Sequence, residues 1–496
     1  MATRRQVVLI MTDTQRKDMI NAYRNTGLKT PCLDRLASEG VRFENAYCCQ
    51  PVCGPARAAL FTGTYPHSCG SWANCLALDD NVKTVGQRLR DNGVRCAYVG
   101  KWHLDGGDYF GLGRCPDGWD PEYWYDMRRY LEELSPEERV RSRKTGTNRD
   151  PGLTAEFTFG HRCSDRAINF LTKHSSEDFL LAVSYDEPHG PYLCPRPYSE
   201  MYRDCQFPAS PNVRDTLAGK PAHHRVWAGK ALDQAPPTVI SHPDYFGCNS
   251  FVDSEIGRVL QAVDDKCPEA MIVYTSDHGD MLASHRLWNK GPAMYQEITN
   301  IPLIVRWPGH TPRNTVSNSL ISHIDIVPTL MECYGLAVPK LMEGRSALAA
   351  LRDPSVTPND CVFMEFGRYE TDHDGFGGFQ PVRCVFDGRR KLVVNLLTSD
   401  ELYDLRDDPG EMVNLIDSPA HATARDHLHD LLLDWMNRTR DPFRGYYWER
   451  RPWRTDARPA TWDYTLMTRQ RENEEYEPRQ LDYGTGLEMA EAVRKK

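Results

Sequence analysis

No stretch of this 496-residue chain approaches the roughly 18 consecutive apolar residues that a membrane-spanning helix needs. The longest apolar runs, around Phe179–Val183 and Lys391–Leu397, have the length of strands. An excess of positive charge is also missing. The formal net charge is −9, which argues against nucleic-acid and anionic-membrane partners, because both are attracted to basic surfaces. The sixteen cysteines include no Cys-x-x-Cys pair and there is no His-Glu-x-x-His motif, so spacing gives a zinc site little support. The opening "MATRRQVVLIMTD" lacks the apolar core and small-residue cleavage site of a secretory signal. Read as the native start, it leads to the expectation of a cytoplasmic protein whose thiols are reduced. No internal repeat or low-complexity tract is visible.

What is present is an alternation. Up to about Arg352, short apolar runs follow one another between helix-like stretches: "QVVLIM" at 6–11, "RCAYVG" at 95–100, "DFLLAVSY" at 178–185, "AMIVYTS" at 270–276 and "IPLIVRW" at 301–307. Continuous β-branched runs between amphipathic helices predict buried, largely parallel strands in a helix-covered sheet, an α/β fold. From Pro354 the texture changes. "CVFMEF", "VRCVFDG" and "KLVVNLL" predict antiparallel strands, followed by one amphipathic helix near 420–437 and an extended arm from Asp441. The expected organisation is a catalytic domain over 1–353 and a smaller C-terminal subdomain over 354–496.

Four of the strands empty chemically useful groups at their carboxyl ends: Asp13; Lys101 and His103; Asp186 and His189; Asp277 and His278. Any one of these alone reads as a solvated loop residue. Four at equivalent places read as a site, because ligands of open α/β sheets bind at that edge. "CCQPVCGPARAALFTG" at 48–63 adds a further element. Pro55 suits the first turn of a helix and Gly63 its end, which puts Cys53 at the positive helix terminus, where a thiol is expected to be acidic. Residue chemistry alone leaves a metal knuckle, a redox pair and a reactive centre all open. Cys48 and Cys49 read as buried bystanders.

The pattern Cys53-x-Pro55-x-Arg57 with "TGTYPH" after it resembles the signature of the formylglycine-dependent sulfatases, members of the alkaline-phosphatase-like superfamily. "VVLIMTD", "GKWHLDG", "TSDHGD", "NKGPAMYQE" and "ELYDLRDDPGEMVNL" are similar to further segments of that family, in its order along most of the chain. The resemblance implies a mostly parallel central sheet flanked by helices and a C-terminal antiparallel subdomain. It implies that a maturating enzyme oxidises Cys53 to formylglycine, with Pro55 and Arg57 in the recognition signal and Arg57 retained to hold the hydrated aldehyde. It further implies a divalent cation on Asp13, the modified Cys53, Asp277 and His278, with calcium preferred over manganese or magnesium. Lys101 and Lys290 are expected to clamp sulfate, His103 to hydrogen-bond the nucleophile, and His189 to protonate the leaving group; His285 is a weaker candidate.

This sequence departs from the commoner family pattern at three positions: Ala56 in place of Ser or Thr, Thr14 in place of a second aspartate, and His278 in place of asparagine. "MTDTQ", "GKWHLDGGDYFG", "SYDEPH" and "FGGFQPVRC" most resemble a bacterial branch that includes uronate 2-O-sulfatases acting on glycosaminoglycan fragments. The implied substrate is a small sulfated saccharide. Arg368, His373 and Arg383, among glycines and aromatics, are the expected sugar-contacting residues. Two other readings stand beside it: a phosphonate monoester or phosphodiester hydrolase of the same superfamily, and a sugar-binding relative without catalysis.

Overall fold

The computed structural model describes residues 4–79, 81–106, 109–370, 378–457, 481 and 483–487. Its main sheet contains β1 (Gln6–Thr12), β2 (Val41–Tyr47), β3 (Arg95–Gly100), β4 (Phe179–Ser184), β7 (Met271–Ser276), β8 (Asn300–Arg306) and β9 (Thr315–Ser322). The strand order is β3-β4-β1-β7-β8-β2-β9. Only β8 runs against the others, pairing antiparallel with both β7 and β2. Outside this sheet, β5 (Phe207–Pro208) and β6 (Val239–Ile240) form a two-residue ladder.

The continuous apolar runs follow from burial on both faces. Along β1, Val7, Leu9 and Met11 enter the core on one face, and Val8 and Ile10 enter the core on the other. Full burial of each such side chain contributes roughly 1.5–3 kcal/mol. The first face is covered by helix α2 (Cys53–Thr62) and by the helix Ile326–Cys333. The second is covered by α1 (Pro31–Glu39) and by the helices Phe159–His174 and Pro243–Lys266. Two strands escape the apolar-run reading. β2 ("VRFENAY") and β9 ("TVSNSLIS") lie toward the open side of the sheet and keep partly exposed polar positions.

The small sheet is antiparallel in sequential order: β10 (Val362–Phe366), β11 (Val382–Phe386), β12 (Arg390–Asn395) and β13 (Glu401–Asp404). The helix Ala422–Arg438 packs Leu428, Leu432, Trp435 and Met436 against Phe363, Val385, Leu392 and Val394. The same cluster takes in Cys49, Ala59 and Tyr65, while Ala58, Leu60 and Phe61 belong to the main core. Helix α2 is therefore held from both sides and all of its residues are buried. That clamp fixes the position of Cys53. After Asp441 the chain docks through buried Trp448 and an Arg451–Asp400 ion pair at 2.8 Å. The later part of the expected arm, 458–480, lies outside the described residues.

Candidate active site

β1, β3 and β7 end at Thr12, Gly100 and Ser276, one residue before Asp13, Lys101 and Asp277, so the parallel strands deliver these groups to one edge. Gly100 is required for this. Its φ is +122°, and a Cβ there would sit 1.9 Å from the Ser184 carbonyl oxygen of neighbouring β4. Opposite, α2 begins at Cys53. The free N–H of Gly54 donates to Asn74 Oδ1 at 2.8 Å, and Gly63, with φ +74°, ends the helix.

Cys53 Sγ lies 3.2 Å from His278 Nε2 and 3.7 Å from Asp13 Oδ1. Ligand atoms of Asp13, Cys53, Asp277 and His278 all fall within 4.8 Å of one another, and all four residues are buried. The donor set fits a divalent cation. His278 Nδ1–H donates to the Gly279 carbonyl at 2.9 Å, which fixes the tautomer and turns the Nε2 lone pair into the cluster. Asp13 and Asp277 supply hard oxygen donors. Thr14, standing where a further carboxylate is common, donates its hydroxyl to Asp13 Oδ1 at 2.6 Å and its N–H to Asp277 Oδ1 at 3.0 Å. It orients the two carboxylates. Burial and the nearby Asp13 carboxylate push the Asp277 carboxyl up, against His278 and Arg57.

Arg57, one helical turn after Cys53, is wholly buried. It reaches Asp13 Oδ2 at 3.0 Å and Asp277 Oδ2 at 3.2 Å, and donates to the Lys101 carbonyl at 2.6 Å and Ser184 Oγ at 2.7 Å. These contacts bind the two carboxylates together. Lys101 Nζ lies 2.7 Å from Asp13 Oδ2 and 3.0 Å from Asp186 Oδ1. Burial works to lower this ammonium, but Asp13 and then Tyr109 and Asp186 outweigh it and hold it well above the usual lysine range. Lys290 Nζ lies 3.1 Å from His189 Nε2. Burial, then Lys290 and Lys101, push the His189 imidazole down to about 3, so it is neutral before an anion arrives.

Two expectations, for Cys53 and Arg383, need correction. The Cys53 thiol is not acidic: burial and the adjacent Asp13 carboxylate raise it, against Lys290, Lys101, Arg57 and the helix terminus. His103, expected to hydrogen-bond the nucleophile that Cys53 becomes on oxidation, keeps its Nδ1 buried without a partner among the described residues, and its ring packs 5.4 Å from Tyr109. Arg383 does not present its guanidinium to a sugar. It is buried on β11, where Nε and Nη2 grip Asp441 at 2.5 and 2.9 Å and Nη1 donates to the Phe366 and Val382 carbonyls. It fastens the chain after the C-terminal helix to the small sheet. His373 lies outside the described residues, and Arg368 is partly buried. His285 pairs with Asp215 at 2.6 Å and stacks on Tyr295, in a separate cluster. Cys48 and Cys49 are buried, and burial raises both thiols.

Sequence reading missed Asn74, Tyr109 and Tyr369. Tyr369 lies near Lys290 and Cys53, and its carbonyl accepts from Asn74 N–H at 3.0 Å. All three sit in loops with no periodicity to mark them.

Residues 5–336 match the family model described as Sulfatase, and 283–438 match N-sulphoglucosamine sulphohydrolase, C-terminal. An uncharacterized sulfatase, YidJ, of Escherichia coli (strain K12) is 46% identical over 494 residues, covering 97% of this chain and 96% of the relative. A Delta 4,5-hexuronate-2-O-sulfatase of Bacteroides thetaiotaomicron is 26% identical over 468 residues, covering 88% of this chain and 90% of the relative. The structure of BT4656 in complex with its substrate D-glucosamine-2-N,6-O-disulfate superposes with a TM-score of 0.74 at 21% identity, covering 89% of this chain and 99% of that one, and shows the shared fold. The chain belongs to the sulfatase family and is a sulfuric ester hydrolase of alkaline-phosphatase-like fold.

Proposed function

We propose that this enzyme removes sulfate from a small sulfated saccharide, with a 2-O-sulfated uronate at the non-reducing end as its substrate. The observation that carries the reading is Cys53 Sγ inside the buried ligand set of Asp13, Asp277 and His278, with two ammonium groups close by. Cys53 acts after oxidation by a separate maturating enzyme; its hydrated aldehyde supplies one hydroxyl for attack on sulfur and a second whose deprotonation releases sulfate. Asp13, Asp277, His278 and the modified Cys53 would hold calcium, or manganese or magnesium in its place, which would supply positive charge for the sulfate group.

The chain's own residues do the rest. Lys101 and Lys290 meet the sulfate charge, and their fixed ammonium groups need no reorganisation during reaction. Arg57 keeps Asp13 and Asp277 in register. His189 Nε2 accepts from the Lys290 ammonium, and the proton shared between the two is the one that the leaving alkoxide takes up. Support for a sugar sulfate comes from relatives named for such substrates. With Arg383 committed to Asp441, Arg368 is the remaining described cation of the expected carboxylate pocket. The test is a panel of 2-O-sulfated unsaturated uronate disaccharide, 6-O-sulfated glucosamine and 4-O-sulfated galactosamine. Preference for either amino sugar overturns the uronate assignment.

A second reading, a phosphonate monoester or phosphodiester hydrolase, is favoured by the Asp277–His278 metal pair. Turnover of aryl phosphonate monoesters above that of the matching sulfates would establish it.

A further inference from the structure

Tyr109 belongs to no element, yet its side chain touches Lys101, His103, Asp186 and His189. Its hydroxyl donates to Asp186 Oδ1 at 2.5 Å and lies 3.1 Å from His189 Nδ1. With the O–H proton directed at the carboxylate, the phenol oxygen faces the imidazole with lone pairs, so Nδ1 must carry the hydrogen. The Gly190 carbonyl, 2.9 Å from the same nitrogen, requires the same tautomer. Nε2 then holds the imidazole lone pair and accepts from the Lys290 ammonium at 3.1 Å. The phenol ring does further work. Lys101 Nζ sits 3.9 Å from its centroid, the His103 and His189 rings are each 5.4 Å away, and the Arg143 guanidinium covers it at 5.5 Å.

We propose that Tyr109 is the positioning residue for the leaving-group proton, an inference that rests on the sulfatase reading above. Tyr109 locks His189 as the Nδ1–H tautomer, so that only Nε2 exchanges protons. As the S–O bond to the leaving group breaks, its electron pair stays on the ester oxygen, which takes the proton shared between Lys290 Nζ and His189 Nε2. Any positive charge gained by the imidazole is met by the Tyr109 oxygen and, through it, by Asp186. The ring holds Lys101 where it reaches both Asp13 and Asp186. Tyr109 itself touches no reacting atom; it acts through His189 and Lys101.

The test uses matured, metal-loaded enzyme and a series of aryl sulfates graded from 4-nitrophenyl to phenyl and 4-methoxyphenyl. Tyr109→Phe removes the hydroxyl and keeps the ring. The expected result is a kcat loss below about 3-fold on 4-nitrophenyl sulfate and of roughly 10- to 100-fold on the poorest leaving groups, with KM nearly unchanged. The dependence of rate on leaving-group acidity steepens accordingly, while metal content and thermal midpoint stay at the unsubstituted values. Tyr109→Leu adds a rise in KM, because Lys101 loses its ring. A uniform loss across the series, with an unaltered leaving-group slope, marks a packing tyrosine and overturns the proposal. Unsubstituted enzyme that turns over neither this series nor the sugar-sulfate panel removes the sulfatase reading itself, a result the variants cannot mimic.

Discussion

Among the described residues two largely buried clusters bring metal-ligating atoms together, and they differ in how the chain partners them. Asp13, Cys53, Asp277 and His278 form the first; His285, Glu297 and Glu411 form the second. In the second, the chain supplies its own positive partners. Lys391 Nζ lies 2.7 Å from Glu411, and Lys220 lies 2.7 Å from Asp215, which itself holds His285. The Asn212 amide donates to Glu297 at 2.6 Å and to His285 Nε2 at 3.2 Å, filling the space between them. Carboxyl groups there are compensated. Burial acts to raise Glu297 and Asp215, yet their hydrogen bonds and positive neighbours hold Glu297 low and Asp215 down at about 2. In the first cluster Arg57 grips Asp13 and Asp277 and Lys101 reaches Asp13, but these cations approach from one side, and the His278 Nε2 lone pair meets the Cys53 thiol directly at 3.2 Å with no amide bridging the ligand atoms among the described residues. Proximity of ligand atoms is thus a poor guide alone; what separates the two clusters is whether other side chains already tie the ligand atoms to one another.

The largest expected effect sets these clusters against each other. Asp277→Asn should lose bound metal and reduce kcat/KM by on the order of 10³-fold or more, whereas Glu297→Gln should leave metal content and rate within about 2-fold. Metal analysis by mass spectrometry with parallel kinetics checks both, and metal loss from Glu297→Gln would erase the distinction. Next, His189→Ala should retain metal and lose roughly 10²- to 10⁴-fold on sugar sulfates, with a much smaller loss on 4-nitrophenyl sulfate. Equal losses remove His189 from the acid role.

Lys391→Met should leave metal untouched but strand Glu411 without its partner, lowering stability by about 3–5 kcal/mol in denaturant titrations. The smallest effect is in acid. Asp215 has its folded pKa depressed below the unfolded value near 3.9, so its contribution is present above about pH 4 and is lost as pH falls toward 2. Asp215→Asn should therefore flatten that part of the stability profile, measured by thermal midpoint against pH, and leave the neutral region parallel to the unsubstituted protein.

Much of this was legible in the sequence because parallel strands buried on both faces must be continuously apolar, and their charged ends must lie at one edge. β1, β3, β4 and β7 announced themselves in this way, and so did Asp13, Lys101, Asp186 and Asp277. Helix α2 was marked by Pro55 and Gly63. The acidity of Cys53 was misjudged because a helix terminus is visible in sequence, whereas burial beside Asp13 is a tertiary fact. Arg383 was misassigned for a related reason: its partner Asp441 lies 58 residues onward, beyond any local pattern. Tyr109 and Asn74 carry no periodicity, and their importance comes entirely from which side chains the fold brings to them.

The most direct measurement is the mass of the Cys53-containing peptide from catalytically active protein. Formylglycine at Cys53 lowers that mass by about 18 Da relative to the unmodified thiol, and the modified fraction should track specific activity across preparations made with and without a maturating enzyme. Full sulfatase activity in protein whose Cys53 peptide carries the unmodified thiol throughout would contradict the proposed mechanism.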